Sequence, residues 1–261
     1  MCSAAARVIK TISTDYIDVL GVTSVDDELF VLLDRDSDPV VVYSINDYRL
    51  LRRLSLYGVS LTSCVRHRCL YASDHDNKCV HRYDLASGGM GRWSVPGKPR
   101  CLSVTPSSNL LVACHRPDRL VELSADSGQC VREMVLQSDI KYPWHAVQLT
   151  TGQYVVCHGG SRLHRVCIVD DDGRVTRSYG GHSGSGVGQL NWPMHLAVDE
   201  DSQLICVADL NNDRVVVLSP TLEFVRYISE GLSGPQRLYL HQATRRLYVG
   251  QWNRGVAVIQ L

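Results

Sequence analysis

The chain has 261 residues, 44% of them hydrophobic, with 27 Lys+Arg balanced by 27 Asp+Glu. That length can bury one large core or two small ones. Zero net charge excludes a generally basic nucleic-acid binder, whose affinity rests on neutralising phosphates, so no DNA partner is expected.

No stretch reaches the roughly 18 apolar residues that span a bilayer. The start, Met1-Cys2-Ser3-Ala4-Ala5-Ala6-Arg7, meets a charge before a secretory apolar core could form. No Asn begins an Asn-x-Ser/Thr acceptor. A cytoplasmic protein without a membrane partner is the expectation.

In chain order, short runs of Val, Leu, Ile and Tyr recur between clusters of Gly, Asn, Asp, Ser and Pro, and no window keeps helical spacing. Clear strands are Leu29 to Leu33, Val40 to Tyr43, Leu70 to Ala72, Arg119 to Leu123, Arg214 to Leu218 and Arg246 to Val249. The polar residues that end the second apolar run of each unit are Asp34, Asp74, His115, His158, Asp209 and Gln251, with gaps of 40, 41, 43, 51 and 42 residues. Passing from Gln251 through Leu261 and on from Met1 to Asp34 gives a further 44, so the period closes on itself.

Each unit reads as four strands, but the last has only three before the chain stops. Residues 7–13 carry the pattern of the outer strands Cys130 to Val135 and Phe224 to Ile228 and supply the missing one. The fold class is therefore all-β: a six-bladed β-propeller of four-stranded antiparallel blades, closed by the N-terminal strand, which removes an exposed edge. One domain covers 1–261, with blades near 19–56, 60–95, 99–136, 143–180, 193–229 and 235–261. An open sandwich would require the spacing to be coincidental.

The ten cysteines could form disulfides, but most sit in apolar runs, such as Cys114, Cys157 and Cys206, where they act as small hydrophobes. Cys64, His67, Cys69, His75, Cys79 and His81 look like a zinc cluster. However, Cys64 and Cys69 flank one turn, while Cys79 begins the next strand about five residues away, at about 3.3 Å each, at the opposite end. Zinc ligands converge within about 2.3 Å of the ion, so these cannot share one site. No metal and no cofactor are expected.

Trp192-Pro193-Met194-His195-Leu196-Ala197-Val198-Asp199, followed by Ile205 to Ala208-Asp209-Leu210-Asn211-Asn212-Asp213-Arg214 and a Val-rich strand, resembles an NHL repeat. The unit from Tyr142-Pro143-Trp144-His145 is similar but has Cys157-His158 in place of Ala-Asp. In style the chain is similar to the C-terminal NHL propellers of tripartite-motif proteins. That resemblance implies a non-enzymatic recognition propeller binding protein or single-stranded RNA, the substrate-recognition part of a ubiquitin ligase, monomeric as an isolated domain.

In such a propeller the inner strands start, and the second strands end, on one face around the central channel. The expected binding face is Arg100, Trp144, His145, His195, Arg237, Trp252 and Arg254, because aromatic and Arg groups supply stacking and bidentate contacts. The channel rim is expected to be Asp34, Asp74, His115, His158, Asp209 and Gln251, where the competing role is fastening the hairpin through local hydrogen bonds. Some NHL-like propellers are lyases with a His-bound channel metal, so the alternative is a metal-dependent lyase or hydrolase using His145, His195 and a third histidine.

Overall fold

Val, Ile, Leu and Tyr runs of four to seven residues are too short for helices but suit strands buried on both faces. In the computed structural model, which describes residues 6–159 and 162–261, they form six four-stranded antiparallel sheets. Blades 1 to 5 span residues 19–54, 61–94, 98–135, 143–181 and 193–228, and blade 6 spans 235–260. The order within each blade is simply sequential, inner to outer, except at the closure. There Arg7–Ile12 pairs antiparallel with Gly255–Gln260, Ile12 opposite Val256, as the outer strand of blade 6. Gly255 is required at that joint. It sits at φ +80°, and a Cβ on it would lie 2.1 Å from the Ile12 carbonyl oxygen.

The apolar runs are continuous rather than alternating because both faces of each blade meet another blade. On the second strand of blade 5, Ile205 and Val207 pack towards blade 4, whereas Cys206 and Ala208 pack towards blade 6. Six such clusters fill the six gaps between blades. The joint between the termini is filled by Ile12, Val256 and Val258 against Val22 and Val31. Cysteines serve as filler. All nine described ones are free, and burial pushes the thiols of Cys114 and Cys206 up to about 12, so they are protonated and inert.

One device shapes the channel. The inner strands begin at Pro143, Pro193 and Pro235, and their register against the second strand slips by one residue just afterwards. Proline has no N–H to give the ladder, and the resulting bulge re-aims the next side chains. His145, His195 and Arg237 consequently occupy one level of the channel, and Gly21 holds the matching register in blade 1.

Candidate functional site

The entry face is the one carrying the starts of the inner strands and the ends of the second strands. Its channel mouth is closed from within. The Arg237 guanidinium donates to Leu20 O at 2.7 Å, Val59 O at 3.1 Å and Gln236 O at 2.8 Å, tying blades 6, 1 and 2 together. Gly21 leaves no space beside it: a Cβ there would lie 2.5 Å from Leu61 Cβ.

Next to Arg237 the rings of His145 and His195 stack at 3.7 Å, 14° apart. His145 Nδ1 accepts from the Leu196 N–H at 3.1 Å, so Nε2 carries the proton and donates to Leu102 O at 3.2 Å. Both nitrogens are thus engaged. Burial, with Arg237 adding repulsion, lowers His145 to about 3 and His195 well below the usual imidazole value, so both are neutral at pH 7. His145, His195 and Arg237, expected on the binding face, are thus buried in the channel, where His145 and His195 also line the cavity that opens at its other end.

The other members of that face lie in two groups. Arg100 stands over the Trp144 ring at 4.6 Å, and Trp144 donates its Nε1–H to Gly159 O at 2.7 Å and packs near Trp192 at 6.2 Å. These side chains are half-buried. Trp252, 53% exposed, and exposed Arg254 belong to the blade 6 hairpin. That hairpin borders a cleft of about 320 Å³ with Tyr16, Gln251 and Asn253. Tyr16 is 85% exposed at φ +64° and was not singled out from the sequence, because a lone Tyr in a polar loop carries no periodic signal.

The rim positions divide by register. Asp74, His158, Asp209 and Gln251 end their second strands opposite Cys79, Arg165, Arg214 and Gly255. Asp34 lies one residue beyond its strand, where Leu33 pairs with Val19, whereas His115 ends its strand opposite Lys98 on the inner strand, with Cys114 opposite Arg119 across the hairpin. Several rim groups fasten loops. Gln251 Oε1 accepts from the Ser233 N–H at 2.8 Å, and His115 faces Asp118 at 3.0 Å while packing on Tyr142 at 4.3 Å. His158 accepts from Arg165 Nε at 3.1 Å, and burial lowers it to about 4. Asp34 is exposed.

The channel's wide end is on the opposite face, a cavity of about 480 Å³ between the inner strands. Four of its hydroxyls pair with each other, Thr23 with Ser63 and Ser24 with Tyr239, each at 2.6 Å, and Ser103 donates to Ala146 O at 2.7 Å. Asp26, Thr62, Glu200, His241 and Gln242 also line it.

Among the described residues, one group of three ligand-type side chains converges: Asp74, Cys79 and His81 in blade 2. Cys64 instead pairs with His67 at 3.1 Å, at the other end of that blade. The channel histidines do not join a third.

These features define a closed six-bladed propeller whose channel is bolted at the entry face. No protein-family model matches the chain, and no curated protein matches it by sequence. Solved structures do match in fold. Hydrazine synthase of Kuenenia stuttgartiensis aligns over 97% of this chain and 98% of its own, with TM-score 0.67 and 14% identity. A streptogramin B lyase covers 98% and 87% with TM-score 0.68 and 11% identity. The Cps50 (Swd1) β-propeller domain of Myceliophteria thermophila covers 98% and 100% with TM-score 0.67 and 14% identity. At such identities the likeness is one of fold alone. No helix is long and apolar enough to cross a membrane.

Proposed function

We propose that this chain is a non-enzymatic recognition propeller that binds a protein on its entry face. The observation that carries the reading is the accessible set of Tyr16 and Arg254, which line the cleft beside the blade 6 hairpin, and Trp252, exposed on that same hairpin. Large amphipathic rings beside an Arg are what protein interfaces concentrate at their anchors. The half-buried pair of Arg100 and Trp144 extends the same face. Protein is favoured over single-stranded RNA because Asp15, Asp18, Asp34, Asp36 and Asp38 lie on the adjoining loops, and their charge opposes a phosphate backbone. The likeness of the Trp192 to Val217 segment to tripartite-motif NHL propellers supports the same reading and extends it to the recognition part of a ubiquitin ligase.

The lyase alternative loses support from the two engaged ring nitrogens of His145. The test is crosslinking and affinity capture with the wild type, a Trp252→Ala/Arg254→Ala double variant, and Val65→Ala on the opposite face. The double variant should lose the partner by at least about 10-fold, as anchor residues do, and Val65→Ala should keep it. Retention by the folded double variant would overturn the reading, and affinity falling steeply with salt would reassign the ligand to RNA.

A further inference from the structure

In blades 3, 4 and 5 the residue opposite the end of the second strand is an arginine: Arg119, Arg165 and Arg214. In blade 5 that guanidinium neutralises the strand-end carboxylate, Arg214 Nε to Asp209 Oδ2 at 2.8 Å. Blade 2 keeps the carboxylate, Asp74, but replaces the arginine with Cys79. The space a guanidinium fills in blade 5 is lined in blade 2 by three metal-ligating atoms, because the pleat puts Cys79 and His81 on one face, beside Asp74.

The distances suit a small tetrahedral ion. His81 Nε2 lies 3.1 Å from Asp74 Oδ2 and 3.8 Å from Cys79 Sγ, and all three atoms fall within 4.8 Å of one another. Ligands at about 2.0–2.3 Å around zinc stand about 3.3–3.6 Å apart. Cys79 is buried, while the Asp74 and His81 side chains are about a fifth exposed, so a fourth position faces solvent. Asp74 is anchored beforehand by Asn77, whose N–H and Nδ2 donate to its two oxygens at 3.0 and 2.8 Å. Arg92, opposite His81 on the next strand, donates at 3.5 Å to the Asn77 carbonyl rather than to the carboxylate, and its charge favours the Cys79 thiolate.

We propose that Asp74, Cys79 and His81 form a zinc-class site in the blade 2 hairpin, with water as fourth ligand. The mixed thiolate, imidazole and carboxylate set selects a borderline-soft divalent ion over magnesium or calcium, which take oxygen. On binding, the Cys79 thiol loses its proton to solvent, and the neutral His81 ring, which donates Nε2–H to Asp74 in the metal-free chain, carries its proton on Nδ1 instead so that Nε2 is free to ligate. This goes beyond the partner-binding reading and does not depend on it.

Cobalt(II), which substitutes for zinc and reports its ligands optically, is the probe, titrated into reduced protein in which Cys2 and exposed Cys130 are serine. One equivalent should give thiolate-to-cobalt charge transfer and the intense visible bands of tetrahedral geometry, and zinc should displace it. Cys79→Ser should remove the charge-transfer band and weaken zinc by at least about 100-fold, the upper end of losses seen for a supporting group. Cys64→Ser, at the other end of the blade, should change neither. Should Cys79→Ser fail to fold, variants at the partly exposed ligands, Asp74→Asn and His81→Gln, carry the same test through reduced zinc affinity. An octahedral spectrum, a band that survives Cys79→Ser, one that vanishes with Cys64→Ser, or zinc affinity unchanged in both Asp74→Asn and His81→Gln would overturn the proposal.

Discussion

Blades 5 and 2 place an aspartate at the same point, the end of the second strand, yet the two carboxylates live differently. Asp209 is fully buried and accepts from the Asn191 N–H at 2.6 Å, Asn212 at 2.7 Å and Arg214 at 2.8 Å. Arg214 continues to Ser185 O and Gln189 O and lies 4.0 Å over the Tyr227 ring, so this cluster holds the Gly/Ser connection between blades. Asp74 is about a fifth exposed and caps only its own hairpin. Burial pushes the Asp209 carboxyl up. At Asp74 burial also raises the pKa, but hydrogen bonds from Asn77 and His81 outweigh it and hold the group below the usual carboxylate value. A repeat position is thus a clamp or an open donor site depending on one residue across the hairpin, Arg214 or Cys79.

The contrast breaks most visibly at Arg214. Arg214→Ala leaves Asp209 buried without its cation and should cost about 3–5 kcal/mol, the usual penalty for orphaning a buried charge. Urea unfolding measures it, and a loss under about 1 kcal/mol would show that the two asparagines suffice. Acid comes next, through the buried channel pair. The folded pKa of His145 is depressed to about 3, so the unfolded chain binds more protons below about pH 6.5. Stability should fall by about 1 kcal/mol per pH unit per such histidine as the pH drops from 6.5 towards 3. Urea midpoints between pH 7 and 4 should show a shallower slope for His145→Gln.

Asp74→Ala in metal-free protein should cost only about 1 kcal/mol, the scale of a lost turn hydrogen bond. Because its carboxyl is held low, that share is present above about pH 4 and is lost as the pH falls through the folded value. The smallest effect is expected from Cys79→Arg, which rebuilds the blade 5 pairing in blade 2. Calorimetry should register a change within about 1 kcal/mol, as for an ion pair near the protein surface, with loss of the cobalt spectrum.

Much of this was legible in the chain. The closing period, the four-strand unit and the exchange of Arg7–Ile12 into the last blade follow from hydrophobic runs and turn residues, which act locally. The separation of Cys64 from Cys79 followed from strand rise alone. What escaped were one-residue matters. The slip after each inner-strand proline turns Arg237 and the two histidines inward, and the register puts Asp34 one step past its strand. Periodicity cannot report either, because a slip of one residue exchanges the two faces of a strand without altering its composition.

Composition and spacing by themselves therefore determined the architecture: how many blades there are, which segments build each, and where the chain closes. Tertiary structure alone decided which polar groups are spent and which are available. His145 and Arg237 find their main-chain partners on neighbouring blades, at Leu102, Leu196, Leu20 and Val59, tens to hundreds of residues away. Tyr16 and Trp252 remain exposed because they lie in loops outside the packed faces of the blades. Hydrophobic pattern is a local property of the chain, whereas the satisfaction of a buried donor or acceptor depends on what the closed ring brings beside it.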